Sequence, residues 1–71
     1  MKLDELGSLL SRRRKGLKIS KQELAELCGV SVHAICNLER GAGNPTFDVL
    51  SSVAETLGLE LGLSPKVLEG A

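Results

Sequence analysis

Apolar positions along this chain fall into four helical stripes followed by one alternating run. Leu3, Leu6 and Leu10 recur at spacings of three and four, which predicts an amphipathic helix over about residues 3 to 15. Gly16 breaks it, and Leu17 and Ile19 then alternate as a short buried connector. Ser20-Lys-Gln-Glu23 has the spacing of a capping box, in which the serine hydroxyl accepts from the third helical amide and the glutamate reaches back to the serine amide. The helix it opens, roughly 21 to 28, places Leu24 and Leu27 on one face with Ala25 and Cys28 beside them, and Gly29 supplies a left-handed end. Ser31 is the next N-cap. The third helix, about 32 to 40, turns Ala34, Ile35 and Leu38 inward, leaves Val32, His33, Cys36 and Asn37 on the other side, and stops at Gly41. Residues 41–45 are a loop by composition. Thr46 caps a fourth helix in which Phe47, Leu50, Ala54 and Leu57 share a face, flanked by Val49 and Val53, and Gly58 ends it. Leu59, Leu61 and Leu63 alternate with Glu60 and Gly62, the period of a strand, before Ser64-Pro65 closes the run. The pattern therefore predicts an all-α fold, a compact domain of four main helices with a short C-terminal β-strand over about 59–63.

At 71 residues the chain has room for one core, so 1–71 reads as a single domain. Its 42% hydrophobic and 25% charged residues are a globular mixture rather than a disordered one. Phe47 is the only aromatic residue, which excludes a stacking platform for single-stranded nucleic acid and disfavours a β-sandwich. No apolar run approaches the ~18 residues of a membrane span. Asp4 and Glu5 stand where a signal peptide would be apolar, so no membrane partner and a cytoplasmic location are expected. One histidine and scattered acids make no catalytic arrangement, and a chain this short rarely builds a deep pocket; a non-enzymatic protein without cofactor is expected.

Charge sharpens the picture. The formal net charge is zero, yet residues 1–21 carry seven basic groups (Lys2, Arg12, Arg13, Arg14, Lys15, Lys18, Lys21) against Asp4 and Glu5. The first 21 residues are thus net +5 and the remainder net −5. Such asymmetry points to an anionic partner on one face, or to nothing more than a solvated helix surface. Cys28, His33 and Cys36 form Cys-x4-His-x2-Cys, but structural zinc wants four ligands and usually a closer cysteine pair. Cys28 also belongs on the inner face and His33 on the outer one, so no metal site is expected.

Two short helices joined by Cys28-Gly29-Val30-Ser31 within a helical domain make a helix-turn-helix pattern. The glycine permits a tight turn, Val30 plugs the angle between the helices, and Ala25 is small where they cross. A helical hairpin in an unrelated bundle would share these features. The stretch from Ile19 through Leu24-Ala25 to Gly29-Val30-Ser31, followed by Ile35, Leu38-Glu39-Arg40-Gly41 and Asn44-Pro45, resembles the lambda-repressor-like (Xre-type) DNA-binding family. The resemblance covers about residues 6–58, with the motif itself at about 20–40.

That resemblance implies a compact lambda-repressor-like domain whose second motif helix enters the major groove of double-stranded DNA. Val32, His33 and Asn37 match the family's base-contacting positions, with Cys36 near the groove edge. Lys21 stands where the family usually has a phosphate-holding glutamine, and a lysine at a helix N-terminus keeps that role. Ser31, Arg40, Gly43 and Asn44 are further phosphate candidates, and Arg14 and Glu39 match a structural ion pair of the family. Val32 and Cys36 depart from positions that are often polar or basic. Only His33 and Asn37 can then hydrogen-bond base edges, which implies a partly shape-driven, A·T-leaning site. The C-terminal leucines Leu59, Leu61 and Leu63 resemble the strand of HipB-like antitoxins, which pairs with its twin in a homodimer. Such proteins repress their own operon and bind a HipA-like kinase toxin. A phage or plasmid repressor without a toxin, and a protein-interaction module that keeps the fold without binding DNA, are the other readings.

Overall fold

The computed structural model describes residues 2–62. Helix α1 spans Leu3–Gly16, α2 Lys21–Cys28, α3 Val32–Arg40 and α4 Phe47–Thr56. Side-chain caps open three of them. Ser20 Oγ accepts from the Glu23 amide and Glu23 Oε1 from the Ser20 amide, both at 3.0 Å, completing the capping box. The bond from the Ser20 amide, with the Ser20 hydroxyl as the smaller contribution, favours the ionised carboxyl and lowers the Glu23 pKa from its ordinary value. Ser31 Oγ accepts from the Ala34 amide at 3.1 Å, and Thr46 Oγ1 from the Val49 amide at 3.2 Å. The left-handed caps Gly29 and Gly41, each with φ 71°, end α2 and α3.

A single core joins the helices: Leu10 of α1, Leu24 and Ala25 of α2, Ile35 and Leu38 of α3, Val53 of α4, and Leu57 just beyond it. Val30, in the turn between α2 and α3, packs against this cluster, as do Leu6, Ile19, Cys28 and Leu50. On the α2–α4 seam, Cys28 Sγ lies 3.5 Å from Thr56 Oγ1, and Ser52 Oγ donates to the Cys28 carbonyl at 3.5 Å.

Three expectations fail. Leu27 is 66% exposed, because Leu24, Ala25 and Cys28 already define the inward stripe and Leu27 falls about 110° away from its centre. Phe47 is 72% exposed: as the first residue of α4 it projects beyond the core, to which α4 gives Val53 and Ala54 and its C-cap gives Leu57. The third concerns the strand predicted over 59–63. Residues 59–62 form no strand, and Leu63 lies outside the described residues. The Leu59 amide donates to the Ala54 carbonyl at 2.8 Å, and Leu59 packs on the chain's own core, so the segment first folds back. Leu61 is 41% exposed beside Phe47 and Leu50. Among the described residues no helix is long and apolar enough to cross a membrane.

Candidate DNA-recognition face

The turn that separates α2 from α3 is short because Gly29 takes a left-handed conformation and Ser31 immediately starts the next helix. The Val30 amide donates to the Ala25 carbonyl at 3.0 Å, tying the turn back to α2. Once Ile35 and Leu38 are buried, the 100° per residue of a helix dictates what faces out. Val32 is 41% exposed, His33 and Arg40 are exposed, and Cys36 and Asn37 are half-buried at the two flanks.

Asn37 does not stand alone. Its Oδ1 accepts from Arg40 Nη2 at 3.0 Å, one turn along the same helix. The amide NH2 and one lone pair of Oδ1 remain for a ligand, which still suffices for a bidentate approach to an adenine edge. Asn37 also lines a shallow cleft of about 230 Å³ whose other wall includes Gly43, Asn44 and Thr46. The loop candidates Gly43 and Asn44 are thus brought beside Asn37, both exposed, with Gly43 at φ 75°.

Lys21 is exposed as the first residue of α2, and no ion pair engages it among the described residues. Ser31 is exposed too. Its oxygen is occupied as a cap acceptor, so its hydroxyl proton is what it can offer to a phosphate.

Arg14 and Glu39 meet at the far end of α3. Arg14 Nε donates to Glu39 Oε2 at 2.7 Å and Nη2 to Oε1 at 3.1 Å, a two-pronged pair with side chains 9% and 6% exposed. Arg14 Nη1 donates to the Ile19 carbonyl at 2.9 Å, so the same guanidinium ties down the α1–α2 connection. The hydrogen bonds Arg14 donates to Glu39 raise the Arg14 pKa above its ordinary value, against the opposing effect of burial. Each group's charge is matched by the other.

Leu59 and Leu61 are not part of this face; Leu61 lines a separate apolar cleft of about 500 Å³ with Phe47, Leu50 and Gly62. Cys28 points to the α2–α4 seam while His33 points to solvent, which separates two members of the Cys-x4-His-x2-Cys pattern.

The helix-turn-helix profile matches residues 10–64, most of the chain. The chain belongs to the Xre-type helix-turn-helix family. Among curated relatives, two proteins named as uncharacterized HTH-type transcriptional regulators, of Mycobacterium tuberculosis strains CDC 1551 and H37Rv, are each 39% identical over 51 residues, 72% of this chain and 36% of theirs. An HTH-type transcriptional regulator of Sinorhizobium fredii is 34% identical over 67 residues, 94% of this chain and 34% of its own length. The chain spans about a third of the length of the curated relatives it matches.

Two residues that shape this helix-turn-helix domain escape a pattern-based reading. A Cβ on Gly7 would lie 2.6 Å from the Glu39 carbonyl oxygen and closer still to that of Leu38, so α1 crosses the end of α3 backbone to backbone. The available signal is register: Leu3, Gly7, Leu10 and Arg14 lie on one stripe of α1. Arg13, adjacent to the buried arginine, donates from Nε to the Leu57 carbonyl at 2.9 Å and caps the end of α4. The family resemblance marks Arg14 for an ion pair, but nothing in the run of four basic residues marks Arg13 as the second that works inside the fold.

Proposed function

We propose that this chain is a sequence-specific double-stranded DNA-binding domain of a transcriptional regulator, with α3 as the helix that enters the major groove. The observation that carries this reading is the outward face of α3. Val32, His33, Asn37 and Arg40 project from a helix whose opposite side is sealed in the core, and Lys21, Ser31, Gly43 and Asn44 surround it with groups that bind phosphate. Three curated relatives named as HTH-type transcriptional regulators support the regulatory half of the reading.

Within it, Val32, His33 and Asn37 contact bases, with Cys36 at the groove edge. Lys21, Ser31, Arg40 and the loop amides at Gly43 and Asn44 hold phosphates. A duplex selected from a random library tests both roles. Lys21→Ala should weaken binding to every duplex and lower the slope of log affinity against log salt by about one. Asn37→Ala should lose about 1–3 kcal/mol on the selected duplex and little on unselected DNA. A wild-type chain whose association with duplex is absent, or indifferent to salt, would identify a protein-interaction module instead.

The regulator acts as a homodimeric repressor on a two-fold operator. Support for the dimer comes from the exposed side chains of Phe47 and Leu61, which line one apolar cleft with the half-buried Leu50, a patch the described residues leave uncovered and a second copy can cover. An antitoxin role with a HipA-like kinase toxin as partner rests on the leucine alternation over 59–63 alone.

A further inference from the structure

We infer that the duplex is also held by α1, through a cleft on the flank of α3 opposite the Gly43–Asn44 loop. The inference rests on the DNA-binding reading above and adds a contact outside the helix-turn-helix unit. The cleft, about 330 Å³ and open to solvent, is lined by Ser8, Ser11, Arg12 and Lys15 of α1 and by Glu39 of α3.

Four consecutive basic residues, 12 to 15, divide by their geometry. Arg13 is committed to the Leu57 carbonyl and Arg14 to Glu39 and the Ile19 carbonyl. The side chains of Arg12 and Lys15, three residues apart and so on one face, are both exposed and make no ion pair or hydrogen bond among the described residues. Ser8 and Ser11, on the same side of the helix, add two hydroxyls that make no side-chain hydrogen bond among the described residues.

An acid in an anion cleft needs explaining, and the ion pair does so. Both Glu39 oxygens accept from Arg14, at 2.7 and 3.1 Å, so this wall is electrically balanced. What remains to act on an approaching ligand is the positive charge of Arg12 and Lys15, and the ligand chemistry that fits is a phosphodiester backbone.

Position then selects double-stranded DNA. Asn37 and Glu39 lie about 200° apart around α3. The cleft containing Asn37, Gly43 and Asn44 and the cleft containing Glu39, Arg12 and Lys15 therefore flank α3 on opposite sides. A helix seated in a major groove about 12 Å wide has a phosphate backbone on each side. One flank meets the loop; the other meets α1.

Salt titration of duplex binding by the full chain decides the matter. Arg12→Ala and Lys15→Ala should each reduce the slope of log affinity against log salt by about one, and the double variant by about two. Lys15→Arg should retain the wild-type slope. Both side chains are exposed, so the melting temperature of these variants should stay at the wild-type value, which separates the effect from loss of fold. A double variant with the wild-type slope overturns the α1 contact while leaving DNA binding intact. A wild-type chain that fails to bind duplex overturns the DNA-binding reading and this contact with it.

Discussion

At its start, α3 is fixed by one cap, Ser31 Oγ on the Ala34 amide, and by the burial of Ile35. At its end it is gripped from three directions: Gly7 presses against the Leu38 and Glu39 carbonyls, Arg14 holds the Glu39 carboxylate, and Gly41 lies so near α1 that a Cβ there would sit 2.5 Å from Asp4 Cα. The contrast separates two tasks. The gripped end sets the direction of the helix with backbone contacts and a buried ion pair, neither of which tolerates much adjustment. The first turn, where Val32 and His33 project, is left free to be chosen for what it touches. Changes at the start should alter binding with little change in fold, and changes at the end should alter both.

The largest departure from this contrast should come from splitting the ion pair. Glu39→Ala strands the buried Arg14 charge and should cost about 3–5 kcal/mol in a urea unfolding experiment. Replacing both, as Arg14→Met with Glu39→Leu, should recover much of that loss, because the penalty lies mainly in the orphaned charge. A Glu39→Ala variant as stable as the wild type would mean that the grip is not electrostatic.

Gly7→Ala comes next. Alanine is the better helix former by about 1 kcal/mol, yet here its methyl group meets backbone and α1 must retreat. A net destabilisation of about 1–3 kcal/mol is expected, read from the same unfolding curves. A gain in stability would show that α1 can move without disturbing α3.

The smallest effect belongs to the other end. Ser31→Ala removes one cap and should cost about 1 kcal/mol, with faster hydrogen exchange at the Ala34 amide and no change at Leu38. Should the whole helix exchange faster, the two ends are not independently held.

Much of this architecture is legible in short stretches of sequence, because the signals are local. Ser20 with Glu23, Ser31 and Thr46 announce helix starts, and Gly29, Gly41 and Gly58 announce turns, since each acts on neighbours within a few residues. Burial is less legible. An eight-residue helix such as α2 completes barely two turns, so Leu27 and Cys28 compete for the inner face and only the packing of α4 against Cys28 decides. The roles of Gly7 and Arg13 depend on partners 31 and 44 residues away, Leu38 and Leu57, which no local spacing encodes. The leucine alternation at 59–62 carries a strand's period but not the ladder partner that a strand needs.

The Arg13 bond to Leu57 has a consequence for the order in which the protein can assemble. A ribosome delivers α1 first, but the carbonyl that receives its guanidinium comes 44 residues later. The Arg14 partner, Glu39, comes 25 residues later. Closing the longer span carries the larger loss of chain entropy, although the difference grows only slowly with length. α1 therefore leaves the exit tunnel with its inner stripe uncovered, meets its ion-pair partner when the end of α3 emerges, and is sealed only when the end of α4 arrives. Of these four helices, the one made before the others still lacks a partner until α4 is complete.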